Sequence, residues 1–272
     1  MTSEEQLPVD HLEMADGADI SEDVPTPVAL DARYRCGMSR HISPALWERL
    51  DRACTEIRTL EPRTTFSRAG ERLRHSALLL EGLMVRYVVS NRGPQPNRQM
   101  VSIQVPGDFV DLHALPLKHL DHDVATLTQA RIALFPHDAL EEIIAADPEH
   151  ARTLWKLTMI DASIHRHWIY RGGTLRAMAA MADFLCEMET RLSACGLVDQ
   201  GNVPLPLLHS DLSEICGISN VHVSRVARDL RDAGLSTVRD GVAQIHDRPA
   251  LQKLANFDPG YLYLPPDGGA PH

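Results

Sequence analysis

The residues of this 272-residue sequence best suited to chemistry lie between Asn220 and Arg239, and the chemistry they suit is recognition rather than bond-making. Val221, Ser224, Arg225 and Arg228 recur at i, i+3, i+4 and i+7, one face of a helix. Val223, Val226, Ala227 and Leu230 make the opposite, apolar face. Arg225 carries a planar fork of donors that can take O6 and N7 of a guanine together, a contact worth about 1–3 kcal/mol of base discrimination. The competing use, a surface ion pair with Asp229 at i+4, is worth only some tenths of a kcal/mol. Ser224 can donate or accept beside Arg225, Asn220 and His222 can reach adenine or phosphate, and Val221 can only pack on a thymine methyl. Arg228 suits a phosphate clamp, with Arg231 at the limit of reach.

A second concentration of reactive side chains is the run Asp108, Asp111, His113, His119, Asp121, His122 and Asp123. These types suit zinc, manganese or iron. They lack close i, i+3/i+4 or C-x2-C spacing, so a polar, solvated loop is the expectation and no metal site is assigned. There is no G-x-S-x-G, no Walker loop and no dinucleotide fingerprint, and an enzyme is not expected.

The recognition residues need a rigid mount, and residues 207–243 describe one. Gly217 follows Ser213 by four positions and Val223 lies six further on, the spacing of two short helices crossing closely in a helix-turn-helix. Ser219 can cap the second helix and so place Asn220 to Arg225 in its first turn. After Gly234 the chain from Leu235 to Ile245 reads as two strands around Asp240-Gly241, a hairpin wing with Arg239 at its tip for phosphate.

Upstream, residues 1–33 mix nine acids with a single base and three prolines, and are expected to be disordered. They are either a solvated leader or an acidic strip that competes with nucleic acid. They hold most of the net charge of −10, and between Ile218 and Arg239 four arginines outnumber two aspartates. Ser43 and Pro44 open a helix through Leu46, Leu50, Ala53, Cys54 and Ile57 until Pro62. From Thr64 to Phe135, short apolar or alternating runs are separated by Gly70, Gly82, the Asn91–Asn97 loop and Pro106-Gly107, which suits an antiparallel barrel or roll.

Helices are expected from His137 to Ala146 and from about Glu149 to Tyr170, with a break at Arg171-Gly172-Gly173 and another helix from Thr174 to Gly196. The second carries Leu154, Leu157, Ile160, Ile164 and Trp168 as a stripe, either a core contact or a dimer seam; Asp161 and His167 interrupt a strict heptad. Residues 197–206 read as a loop and residues 257–272 as a disordered tail. The domain plan is an acidic tail (1–33), a β domain (34–148), a dimerisation helix (149–171), a winged helix-turn-helix domain (172–256) and a second tail (257–272).

Five scattered cysteines, odd in number and without a C-x2-C pair, suit a reducing, cytoplasmic setting. No signal peptide is expected, and no run approaches the roughly 20 apolar residues that cross a membrane.

The ordered set of Gly70, Leu80-Glu81-Gly82 with Val85-Arg86, Pro106-Gly107-Asp108-Phe109, the long helix, and Asp211-Leu212 through Ile218-Ser219-Asn220-Val221-His222-Val223-Ser224-Arg225 resembles the Crp/Fnr family of bacterial transcription regulators over about residues 40–250. The resemblance implies an α+β chain: a cyclic-nucleotide-binding-like β-roll sensor, a dimerisation helix and a winged helix-turn-helix. It also implies a homodimer on palindromic promoter DNA that recruits or blocks RNA polymerase.

Departures from the family pattern narrow the effector. Where cyclic-AMP-binding members hold the phosphate with an arginine, this chain has Asp123, whose carboxylate repels phosphate. Members with an iron–sulfur cluster use several clustered N-terminal cysteines, and here only Cys36 is near. Both signals are disfavoured, and no spacing singles out a haem pair among His75, His113, His119 and His122, so the cofactor stays unknown. Val221 stands where many relatives have a glutamate that accepts from cytosine, so the half-site should differ there. The alternative reading is a metal- or haem-binding roll whose helix-turn-helix serves protein interaction.

Overall fold

The computed structural model describes residues 30–31, 34–90 and 97–265. Most of the acidic segment, part of the Asn91–Asn97 loop and the end of the second tail lie outside the described residues. Helix α1 (Pro44–Ala53) starts at Ser43, whose Oγ accepts from Leu46 N at 3.2 Å with Pro44 in the first turn. It ends earlier than the helical spacing predicts. Ile57 belongs to strand β1 (Glu56–Leu60), which pairs antiparallel along β7 (Ala130–Pro136), because an open sheet edge offers that backbone more hydrogen bonds than another helical turn.

The roll is two antiparallel sheets. One orders β1-β7-β3, with β3 at His75–Glu81; the other orders β2-β6-β4-β5, with β2 at Thr65–Ser67, β4 at Met84–Ser90, β5 at Asn97–Gln104 and β6 at Asp123–Thr126. Side chains alternate along each strand. Ala77, Leu79, Ile132 and Leu134 point into the roll, while Leu78, Leu80, Ala133 and Phe135 point toward the helices, so β3 is buried on both faces and reads as one apolar run. Gly82 turns β3 into β4 at φ +89°, and a Cβ there would collide with the backbone oxygen of Gln129.

The short α2 (Ala114–Leu117) lies between β5 and β6, and α3 (His137–Ala146) follows β7. Helix α4 (Pro148–Thr174) continues through Gly172-Gly173, where the sequence predicts a break. Two glycines cost a helix roughly 2 kcal/mol, and anchoring outweighs this. Arg171, buried, donates to Asp183 at 2.5 Å and to Glu187, both on α5 (Ala177–Ser193). Tyr261 Oη adds a bond to Glu187 at 3.0 Å and stacks on His167 with ring centroids 3.7 Å apart. The segment Pro259–Leu262 is therefore a packed 3-10 turn, not part of a disordered tail, and Leu262 is buried.

The stripe Leu154, Leu157, Ile160, Ile164 and Trp168 is buried within the chain itself, so these five cannot also be a seam between chains. The roll, α5 and the C-terminal turn cover them, and the indole of Trp168 donates to Glu187. The apolar side chains that α4 leaves exposed are Trp155, Met159, Ile169 and Tyr170.

Beyond α5 come β8 (Asn202–Pro204), α6 (His209–Cys216), α7 (Asn220–Asp232), β9 (Ser236–Arg239), β10 (Val242–Ile245) and α8 (Arg248–Ala255). Strand β8 lies where the sequence of residues 197–206 reads as a loop. It pairs with β10 on the side away from β9 and buries Val203, making the wing three-stranded. Among the described residues no helix is long and apolar enough to cross a membrane.

Candidate nucleic-acid interface

Gly217 closes α6 in the left-handed region at φ +63°, and Ser213 Oγ donates to the carbonyl of Ile218 at 2.6 Å, locking the turn. Ser219 then caps α7, accepting from His222 N at 3.3 Å. Leu212, Ile215 and Cys216 of α6 are buried together with Val223, Val226 and Leu230 of α7, so the two helices share one core.

That packing decides which side chains face outward. Asn220, Val221, Ser224, Arg225 and Arg228 are exposed along one side of α7, and His222 is half-buried beside them. Val221 is 73 % exposed, which removes it from the core of the motif. Arg225 makes no ion pair among the described residues, and Asp229 does not claim it. Ser224 Oγ donates to its own helix at Asn220 O, 3.2 Å, leaving lone pairs outward. On the wing, Arg239 is exposed at the tip, 3.4 Å from Asp240.

The α7 face and the wing meet in a cleft of about 280 Å³ lined by His209, Ser224, Arg228, Arg231, Thr237 and Arg239. The structure thus brings Ser224, Arg228 and Arg239 together, with Arg225 next to Ser224 on the exposed side of α7 but outside the cleft lining. Sequence reasoning missed His209 and Thr237. A polar residue opening the first helix of such a motif is the signal that could have found His209; Thr237 is identified only by the register that pairs β9 with β10. Arg231 lines the cleft but is tied to Asp232 at 2.8 Å.

In the roll, Asp123 accepts from Ala69 N at 2.7 Å. Arg86 is fully buried and donates to both oxygens of Asp161 on α4, at 2.8 and 2.7 Å, and to Val110 O at 2.9 Å. Arg86, Asp108, His113 and Asp161 line a cavity of only about 20 Å³. Burial pushes the Asp111 carboxyl up to about 7, against the Ala77 N–H it accepts and the charge of Arg86. Burial, then Arg86, drives His113 down to about 4. The acid and histidine run is thus divided: Asp108 bonds Arg191, Asp111 bonds Ala77, and His122 pairs with Asp121 at 2.8 Å.

Residues 179–254 match the family model of the Crp-like helix-turn-helix domain. Among curated proteins the chain is similar to the anaerobic regulatory protein of Pasteurella multocida, 21% identical over 208 residues, covering 76% of this chain and 75% of that protein. It is also similar to the nitrogen fixation regulation protein FixK of Bradyrhizobium diazoefficiens, 27% identical over 179 residues, covering 65% and 72%. Among solved structures its fold resembles FixK2 from Bradyrhizobium japonicum, with a TM-score of 0.66 at 21% identity, covering 73% of this chain and 96% of that one. A CRP-family transcriptional regulator from Thermus thermophilus gives 0.60 at 19%, with the same coverage. Residues 179–254 thus form a Crp-like helix-turn-helix domain, and with a β-roll, a long helix and a winged helix-turn-helix in this order the whole chain is similar in sequence and fold to Crp/Fnr transcription regulators.

Proposed function

We propose that the protein is a cytoplasmic homodimer that reads a specific palindromic promoter site and meets RNA polymerase there, acting by binding rather than catalysis. The observation that carries this reading is the outward face of α7: Arg225 is exposed and unpaired by Asp229, next to an exposed Val221 and above the phosphate-suited Arg228 and Arg239. Asn220, His222 and Ser224 complete the set of base- or backbone-reaching side chains. In a symmetric dimer the two recognition helices would lie about 34 Å apart, one turn of DNA.

The dimer face consistent with this chain is the exposed side of α4. Trp155, Met159, Ala162, Arg166 and Ile169 follow one another at alternating steps of four and three, the repeat of a coiled-coil seam. Control by cyclic AMP is disfavoured by Asp123 and by Arg86, whose guanidinium is committed to Asp161 beside a cavity too small for a nucleotide. Control by an iron–sulfur cluster is disfavoured by the absence of clustered N-terminal cysteines.

Selection of binding sites from random duplex DNA, followed by gel shifts of wild type and Arg225→Ala on the selected palindrome, tests the reading. Enrichment of a palindrome with weakened binding by the variant is expected. Equal binding by the two proteins removes Arg225 as the reader, and failure to enrich any palindrome removes the function.

A further inference from the structure

Cys36 and Cys195 are far apart in sequence and adjacent in space. Cys36 precedes the 3-10 turn Gly37–His41 at the start of the roll domain, and Cys195 follows α5, at the root of the helix-turn-helix domain. Both thiols donate to the same acceptor, the carbonyl oxygen of Pro106, at 3.5 Å from Cys36 and 3.2 Å from Cys195. The flanking backbones are joined too, with Gly37 N donating to Ala194 O at 3.4 Å. A Cβ placed on Gly37 would stand 3.1 Å from Cys195 Sγ.

The pair opens onto a cleft of about 340 Å³ lined also by Tyr34, Leu80, Pro106 and Leu197, large enough for a small oxidant. Cys54, Cys186 and Cys216 are buried and have no such partner thiol among the described residues.

The two thiols are not equivalent. The Cys195 side chain beside it, aided by Arg40, lowers the Cys36 thiol below the ordinary cysteine range against burial and Asp108. The same contact, with burial, raises Cys195. Cys36 is therefore the nucleophile and Cys195 the resolving partner.

We infer that Cys36 and Cys195 are a redox modification site, oxidised by a peroxide to an intramolecular disulfide that ties the roll to the root of the DNA-binding domain. The Cys36 thiolate attacks one peroxide oxygen and breaks the O–O bond; the departing hydroxide takes a proton and leaves as water, and Cys36 becomes a sulfenic acid. Cys195 Sγ then attacks Cys36 Sγ, the S–S bond forms, the S–O bond breaks and a second water leaves. Two thiols and one hydrogen peroxide give one disulfide and two waters, and a dithiol reductant reverses the change.

The full-length reduced protein is treated with hydrogen peroxide, quenched and unfolded, and its free thiols are counted. The expected count falls from five to three. Digestion without reductant should yield one peptide pair joining Cys36 to Cys195, restored to thiols by dithiothreitol. In Cys195→Ser the count should fall by one, with Cys36 trapped by dimedone as the sulfenic acid. In Cys36→Ser it should not fall. An unchanged count in the wild type, a disulfide between other cysteines or between two chains, or Cys36 ending as sulfinic acid with Cys195 present would each overturn the inference.

Discussion

Arg63 of the roll donates its two terminal nitrogens to the two carboxylate oxygens of Asp211 in α6, both at 2.7 Å. Asp211 is buried and also accepts Leu208 N at 2.7 Å, so one carboxylate both caps the first helix of the DNA-binding motif and fastens that helix to the roll. Arg98 reinforces the joint, bonding Glu214 at 2.7 Å, as does Gln99, which donates to the Glu214 carbonyl.

Arg63→Ala should lower stability by about 2 kcal/mol, less than for a fully buried pair because Arg63 keeps part of its surface in water and Arg98 stands near the orphaned carboxylate. Urea unfolding measures this, and faster proteolysis between the two domains should accompany it. Unchanged stability would show that the joint is not held by this pair.

Arg171 carries a larger burden. Burial pushes the Glu187 carboxyl up, but Arg171 and Arg191 outweigh it and hold the group at about 2. Arg171→Met leaves two buried carboxylates underpaired and should cost about 3–5 kcal/mol. A loss below about 1 kcal/mol in chemical denaturation would contradict the anchoring role assigned to it across Gly172-Gly173.

Asp111 and His113 make stability depend on pH with opposite signs. Asp111, raised from 3.8 to about 7, is protonated in the folded chain where the unfolded chain is ionised, so its contribution is full below about 4 and is lost as pH rises through 7. His113, lowered from 6.5 to about 4, contributes above 6.5 and loses that contribution as pH falls through 4. Asp111→Asn keeps an acceptor for Ala77 N and removes only the first effect. Its stability at pH 7 relative to pH 5 should exceed that of wild type by about 2 kcal/mol. Parallel pH profiles for the two proteins refute this assignment.

Replacing exposed apolar residues of α4 should act on association and not on folding. Trp155→Glu with Ile169→Glu should raise the dimer dissociation constant by at least about tenfold, roughly 1.4 kcal/mol, with little change in helical content. Sedimentation equilibrium reads the result. The same treatment of Leu157 or Ile164, which are buried in the chain, should unfold it instead.

On a selected palindrome Arg225→Ala should lose about 1–3 kcal/mol of binding, concentrated at one base position. Arg239→Ala should weaken binding evenly across sequences and flatten the salt dependence by about one unit of log–log slope per protomer. A sequence-dependent loss for Arg239→Ala would move the wing from clamp to reader.

The order of elements and the faces of α7 were legible in the sequence because they depend on local periods, caps and turn residues. Ser43 with Pro44, Gly217 with Ser219, and Asp240-Gly241 each act within a few residues of themselves. What the tertiary structure alone decided rests on partners distant in the chain. The apolar stripe of α4 has the same pattern whether it meets its own roll or a second chain, and only the packing of Leu154 to Trp168 against the roll and α5 chooses. The continuity of α4 through two glycines depends on Asp183 and Glu187, the strand fate of Ile57 and Val203 on the open edges of β7 and β10, and the pairing of Cys36 with Cys195 on the Pro106 turn between them. Local propensity sets which elements form; charge pairing and burial between remote segments set which of their faces remain for function.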